Sequence, residues 1–271
     1  MKTRYLSLSA VPVLLVALSG CAQQSLTGAE AQEAVAQTQV DSEAQALTSN
    51  TVDITTNFTI GHAVDEAATE LKSFIQTELP CADVSVSGHT LTVEYGKTGA
   101  CPWNGMTFTG THTVSISKND ADEVIVDHTW TGLTNGKIEV DGTATVTWNL
   151  ADPSRHIDHD LTWTRLSDGR TGEGKGSRTQ KPLDASLGGL KTGFTEDGER
   201  SWTGKVGTWN LDISGLEMRW VDPVPEAGTL TLETPYDKTV SLGFSRVNDT
   251  TIHVTAQGPV HSYGFDIHEG S

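Results

Sequence analysis

Basic residues are scarce. Eighteen Lys and Arg stand against 35 Asp and Glu, a formal charge of −17, which argues against nucleic acid as a partner and against docking on anionic lipid through charge. Methionine is held to 3 residues and cysteine to 3, while glycine reaches 27; that balance favours a turn-rich β protein over a helical one. Beyond the N-terminus no stretch approaches 18 consecutive apolar residues, so no span-length helix is expected there. Catalytic signatures are missing too: there is no Gly-x-Ser-x-Gly and no His-Glu-x-x-His. Gly172–Gly176 lacks the spacing of a phosphate loop, and Asn119–Glu123 lacks the Gly and terminal Glu of an EF-hand loop.

What is present begins with an address. Lys2 and Arg4 precede an apolar stretch from Tyr5 to Leu18, too short for a comfortable bilayer span and ended by small residues, the order of an export signal. It closes on Leu18-Ser19-Gly20-Cys21, which resembles the lipobox of bacterial lipoproteins. That resemblance implies cleavage before Cys21, a diacylglyceryl thioether on its thiol and acylation of its new amino group. Loss of 1–20 removes two basic residues and no acid, taking the charge from −17 to −19. Two or three acyl chains anchor a protein without a basic patch. Ala22, rather than Asp, follows the modified position, which favours the outer membrane of the bacterial envelope.

Residues 22–50 are rich in Ala, Gln, Glu, Ser and Thr, contain no aromatic residue and show no sustained apolar stripe. They read as a flexible tether with an average reach of ~30 Å. Cys81 and Cys101 remain as an even pair in an exported protein, and the expectation is a disulfide.

The body, 51–271, opens on a helical pattern. Val64, Ala67, Ala68, Leu71, Phe74, Ile75 and Leu79 recur at helical spacing and Pro80 stops the run. After it the chain alternates with period two through about a dozen segments, separated by turn formers such as Asn135-Gly136, Asp152-Pro153 and Asp168-Gly169. One face wet and one buried is antiparallel meander behaviour. The expected fold is therefore mainly β: a large antiparallel meander sheet, curled or folded into a barrel or sandwich, with one N-terminal amphipathic helix. Asp127-His128-Thr129-Trp130-Thr131-Gly132 resembles Glu199-Arg200-Ser201-Trp202-Thr203-Gly204, suggesting two similar halves, about 51–183 and 190–271.

Alternation aims His112 and His128 inward. A short turn at Asn119–Asp122 pairs residues whose numbers sum to 240 or 242, which sets the two imidazoles side by side or diagonal. They are metal candidates if a third ligand arrives, but a structural pair of neutral histidines is the favoured reading, and no metal or cofactor is assigned. His159 does not join them, because its expected cross-strand partner is Trp148. His156, Asp158 and Asp160 share the opposite, wet face, so His156 and Asp158 are binding candidates at a solvated hairpin end. Trp103 and Trp220 are the tryptophans placed for exposure and hence for ligand contact. Pairing across Asp168-Gly169 sets Trp163 over Gly174.

Four functions follow as expectations. The first is a lipid-anchored binding or structural module, its ligand (protein, glycan or lipid) left open by the sequence. A carrier of lipid or another apolar molecule in a half-open barrel is second. An envelope enzyme built on His112, His128 or Asp158 is third, and a pore-forming barrel is last.

Overall fold

The computed structural model describes residues 26–55, 64–97, 99–103, 106–121, 123–149, 151–184, 192–219, 222, 224–258 and 262–268. Two helices come first, α1 (Gly28–Thr55) and α2 (Val64–Glu78). Fourteen strands follow: β1 (Asp83–Ser87), β2 (Thr90–Tyr95), β3 (Cys101–Trp103), β4 (Met106–Lys118), β5 (Val124–Thr134), β6 (Ile138–Asn149) and β7 (Ser154–Arg165). Then come β8 (Thr171–Pro182), β9 (Gly193–Gly204), β10 (Gly207–Arg219), β11 (Ala227–Thr234), β12 (Lys238–Asn248), β13 (Thr251–Gln257) and β14 (Ser262–His268). They form one antiparallel meander in which neighbours in sequence are neighbours in the sheet; β3 alone stands aside, pairing with β4 off the main path. Among the described residues β1 and β14, the two ends of that path, do not pair with each other. Two compact units divide the chain, one built on Glu43–Lys175 and the other on 26–42 with 176–268.

Residues 28–50 are helical, which corrects the tether reading for that stretch. The helix starts on a reciprocal capping box: the Glu30 carboxylate accepts the Thr27 N–H at 2.6 Å, and Thr27 Oγ1 accepts the Glu30 N–H at 3.3 Å. Leu26, just before the cap, packs with Ala31, Val240 and Tyr236, a hydrophobic staple across the first turn. Val40, Leu47 and Ile54, seven apart, are fully buried. Val52 is buried with them, and the rest of the buried stripe is small or polar: Ala31, Ala34, Gln37, Asp41, Ala44, Gln45, Ala46, Thr48, Thr51 and Thr55. A scan for apolar side chains at helical spacing misses such a stripe.

The second helix matches its sequence pattern, with Ala67, Ala68, Leu71, Ile75 and Leu79 buried. Cys81, just past its end, is bonded to Cys101 at the start of β3 (S–S 2.10 Å). Phe74 meets the edge of Trp103 at a centroid distance of 6.3 Å, so disulfide and ring contact together pin α2 beside β3.

Two glycine bulges switch the phase of the alternation. On β5 the buried set runs Val124, Val126, His128, Trp130 and then jumps to Leu133; on β10 it runs Trp209, Leu211, Ile213 and then Leu216, Met218. The register shifts fall at those jumps, between Trp130 and Leu133 and between Ile213 and Leu216. Gly132 (φ 56°) and Gly215 (φ 55°) supply the left-handed residue. A carboxylate accepts each bulge N–H, Asp141 for Gly132 at 2.8 Å and Asp197 for Gly215 at 2.6 Å. On the far side stands a second glycine that lets the bulge carbonyl approach. A Cβ on Gly110 would sit 2.3 Å from the Gly132 oxygen, and one on Gly228 would sit 2.3 Å from the Gly215 oxygen. Bulges of this kind bend and twist a sheet, which a meander of this size requires.

Candidate functional site: a buried histidine pair under the N-terminal helix

Register fixes the site. The β4–β5 pairing sums to 242, setting His112 opposite Trp130 and His128 opposite Val114, so the two histidines are diagonal neighbours on the buried face. One cross-sheet row reads Val93, His112, Trp130, Gly142, Leu161, and the next reads Leu91, Val114, His128, Ala144, His159. His159 thus lies opposite Ala144, not Trp148, whose partner is Arg155. The β6–β7 hairpin is centred two residues earlier than a His159–Trp148 pair requires, and the shift brings His159 into the same row as His128.

His112 and His128 are 0% and 1% exposed. Their rings stack at 5.2 Å, and Trp130 lies beside both, 5.3 Å from His112 and 5.8 Å from His128. His112 Nε2 is 3.0 Å from His128 Nδ1, and His112 Nδ1 is 3.4 Å from the Tyr95 hydroxyl. The helix completes the site. Thr51 Oγ1 accepts the Trp130 indole N–H at 2.9 Å, Thr55 Oγ1 lies 3.5 Å from His128 Nδ1, and Gln45 Nε2 is 3.0 Å from His159 Nε2. Asp53 Oδ1 takes both terminal nitrogens of the buried Arg155 at 3.3 Å, and that guanidinium lies 5.5 Å from the centre of the Trp148 ring. The second half of α1 therefore bridges β5 and β7, with the small side of β6, Gly142 and Ala144, between its partners.

Proton positions follow from the helix. The Thr55 hydroxyl donates to the Thr51 carbonyl at 2.8 Å, which leaves its oxygen to accept. That orders the pair with a proton on His128 Nδ1, directed at His112 Nε2 and Thr55, and a proton on His112 Nδ1, directed at the Tyr95 oxygen. His128 Nε2 is then a bare lone pair, buried with no hydrogen-bond partner. Burial holds both imidazoles neutral. Desolvation first and the charge of Arg155 second push His128 down to about 3, and desolvation first and His128 second push His112 well below its usual value. The Trp130 face favours a cation by at most ~2 kcal/mol, too little to reverse shifts of several units from full burial. Desolvation also raises the Tyr95 phenol.

The remaining candidates sit apart from this cluster. His156 and Asp158 are exposed on the opposite face of β7 and pair with each other at 3.2 Å; Asp160 beside them takes Lys175 at 2.8 Å. Trp103 is half-buried against α2, its indole N–H enclosed without a partner. Trp220 lies outside the described residues. Trp163 stands over Gly172 rather than Gly174: a Cβ there would be 2.7 Å from the indole, because Arg165 already pairs with Arg170 across the turn. No three metal-ligating side chains gather among the described residues.

The chain matches no family model, no curated protein and no solved structure. Its own geometry has to carry the reading.

The second unit holds features the sequence reading passed over. Ser245, His253 and Asp266 form one row across β12, β13 and β14. His253 Nδ1 meets Asp266 Oδ1 at 2.6 Å, as an oriented base would. The Nε2 edge of that ring, however, lies over Gly264, where a Cβ would be 2.7 Å away; the base leans toward β14, while Ser245 stands on β12. The repeated strand motif has a further meaning. At its first copy Trp130 and His128 meet Thr51 and Thr55; at its second, Gly204 lies under the Gln37 amide and Arg200 pairs with the buried Asp41 at 3.2 Å. Both copies contact α1 through residues four apart, so each is a docking surface for a turn of that helix.

Proposed function

We propose that this chain is a lipid-anchored protein of the bacterial envelope whose β-rich body is a binding or structural module. The observation that carries the reading is the segment Leu18-Ser19-Gly20-Cys21 after a short apolar run. The Cys81–Cys101 disulfide supports export, since such bonds persist in oxidising compartments. The helix is capped at Thr27, which supports a fold held close to the anchor. Between Cys21 and the helix lie so few residues that even a fully extended chain spans only about 25 Å, so the body would ride at the membrane surface.

The filling of the buried face favours a module over a carrier. Thr51, Thr55 and Gln45 of α1 engage the tryptophan and histidines against which a carried acyl chain would lie. An enzyme reading built on His112 and His128 meets full burial, and one built on His156 and Asp158 meets an exposed, self-paired strand.

Cys21→Ala in a lipoprotein-processing bacterium tests the anchor. Wild type is expected with membranes after a high-salt wash and the variant in the soluble or unprocessed fraction; equal membrane retention would overturn the reading. An organic extract of the purified protein tests the carrier alternative, which a stoichiometric lipid would bring to the front.

A further inference from the structure

The buried face of α1 is chemically unlike the sheet beneath it. Beside Leu47, Val52 and Ile54 the helix offers Gln45, Thr48, Thr51 and Thr55, whereas the sheet offers Trp130, Leu133, Val146 and Leu161. Leu47, Val52 and Ile54 oppose release of the helix, while its polar side chains hold the sheet through hydrogen bonds to ring nitrogens. Two of those contacts are to imidazoles, which accept or relay protons. His128 Nδ1 faces Thr55 and His112, and His159 Nε2 faces the Gln45 amide nitrogen, a donor that requires an unprotonated acceptor. His128 Nε2 is a buried lone pair with nothing to receive an added N–H.

We propose that 43–55 of α1 is an acid-released latch, opened when His128 takes a proton on Nε2. An imidazolium there would carry an unmatched N–H inside an apolar wall and would face the positive Arg155. Every charged or titratable group packed on the pair works in the same direction or stays silent. Tyr95 on β2 is held neutral by burial, Arg155 on β7 is positive, and Asp53 on α1 is already spent on Arg155. His159 on β7 adds a second imidazole under the same helix, and β6 contributes only Gly142 and Ala144 to these rows. Among the described residues named here no carboxylate faces either ring of the pair, so the added charge has no counter-ion among them. The way to solvate it is to lift Thr55 and the turn around it away from β5. The disulfide and the β-ladders hold the sheet while the helix leaves.

Amide hydrogen exchange on the full chain, at pH 7.5, 6.0 and 5.0 and corrected for intrinsic rates, tests the latch. Protection of 43–55 should fall about tenfold per pH unit below about 6.5 for each proton taken up and stay well below that of β4–β7 at every pH. The double variant His112→Gln/His128→Asn, which retains amide donors and cannot titrate, should flatten that response. Unchanged protection of 43–55 at pH 5.0 would overturn the proposal. So would protection of 43–55 equal to that of β4–β7 at every pH, which is unfolding of the unit rather than release. A folded double variant that keeps the full pH response would overturn it as well; if that variant fails to fold, the wild-type profiles decide.

Discussion

His112 Nε2 and His128 Nδ1 share a single hydrogen bond of 3.0 Å inside a wall of Tyr95, Trp130 and Thr55. The pair is neutral in the folded chain because burial depresses both rings, His128 to about 3. An unfolded histidine binds its proton near pH 6.5, so between that value and the folded one the unfolded chain holds more protons. Stability is therefore complete above about pH 6.5 and is lost as the pH falls. Urea unfolding should find about 2 kcal/mol less stability per histidine at pH 5 than at pH 7.5. His112→Gln/His128→Asn should remove that part of the slope.

Thr51 carries the helix side of the Trp130 contact. Its replacement by Val keeps the shape and removes the acceptor at 2.9 Å from a buried indole N–H. An orphaned buried donor costs about 1–3 kcal/mol. Chemical denaturation of Thr51→Val should show a lower midpoint and an unchanged slope, together with a shift in tryptophan emission.

Gly110→Ala should cost more. The new Cβ would meet the Gly132 carbonyl at 2.3 Å, and φ at Gly110 is 108°. Neither the strand nor the bulge can yield without breaking the Gly132–Asp141 bond. We expect a loss of at least ~3 kcal/mol in thermal unfolding, against a small effect for Gly136→Ala, whose Cβ has open space and which pays only for its backbone conformation.

Removal of the Cys81–Cys101 bond isolates the end of α2. The closed loop, a sequence separation of 20, is worth ~3 kcal/mol in the chain-entropy model. Cys81→Ala/Cys101→Ala should lose that stability, and exchange protection should fall first in α2 and β3 rather than in β9–β14.

The meander was legible in the sequence because most strands keep their apolar residues on one parity, as Phe108 and Val114 do on β4 and Val240 and Phe244 on β12, and β5 and β10 switch it only at a glycine bulge. The register of the histidine pair was legible too, since the turn after Lys118 allowed only two sums. The N-terminal helix was not, because most of its buried positions are filled by Ala, Thr, Gln and Asp. Its signals were of another kind: Thr27 and Glu30 at capping-box spacing, and Val40, Leu47 and Ile54 seven apart. Without that helix, neither Thr55 against His128 nor Asp53 against Arg155 could be foreseen. The displaced partners of His159 and Trp163 have one cause, hairpins centred earlier in the chain than the flanking turn formers suggested.

The most direct test of the account is the intact mass of the protein recovered from bacterial membranes. The account predicts a chain that begins at Cys21 and carries a diacylglyceryl group plus an amide-linked acyl chain, with Cys81 and Cys101 two hydrogens short of their thiols. A chain cleaved elsewhere, or one beginning at Cys21 with an unmodified thiol and amino group, would contradict it.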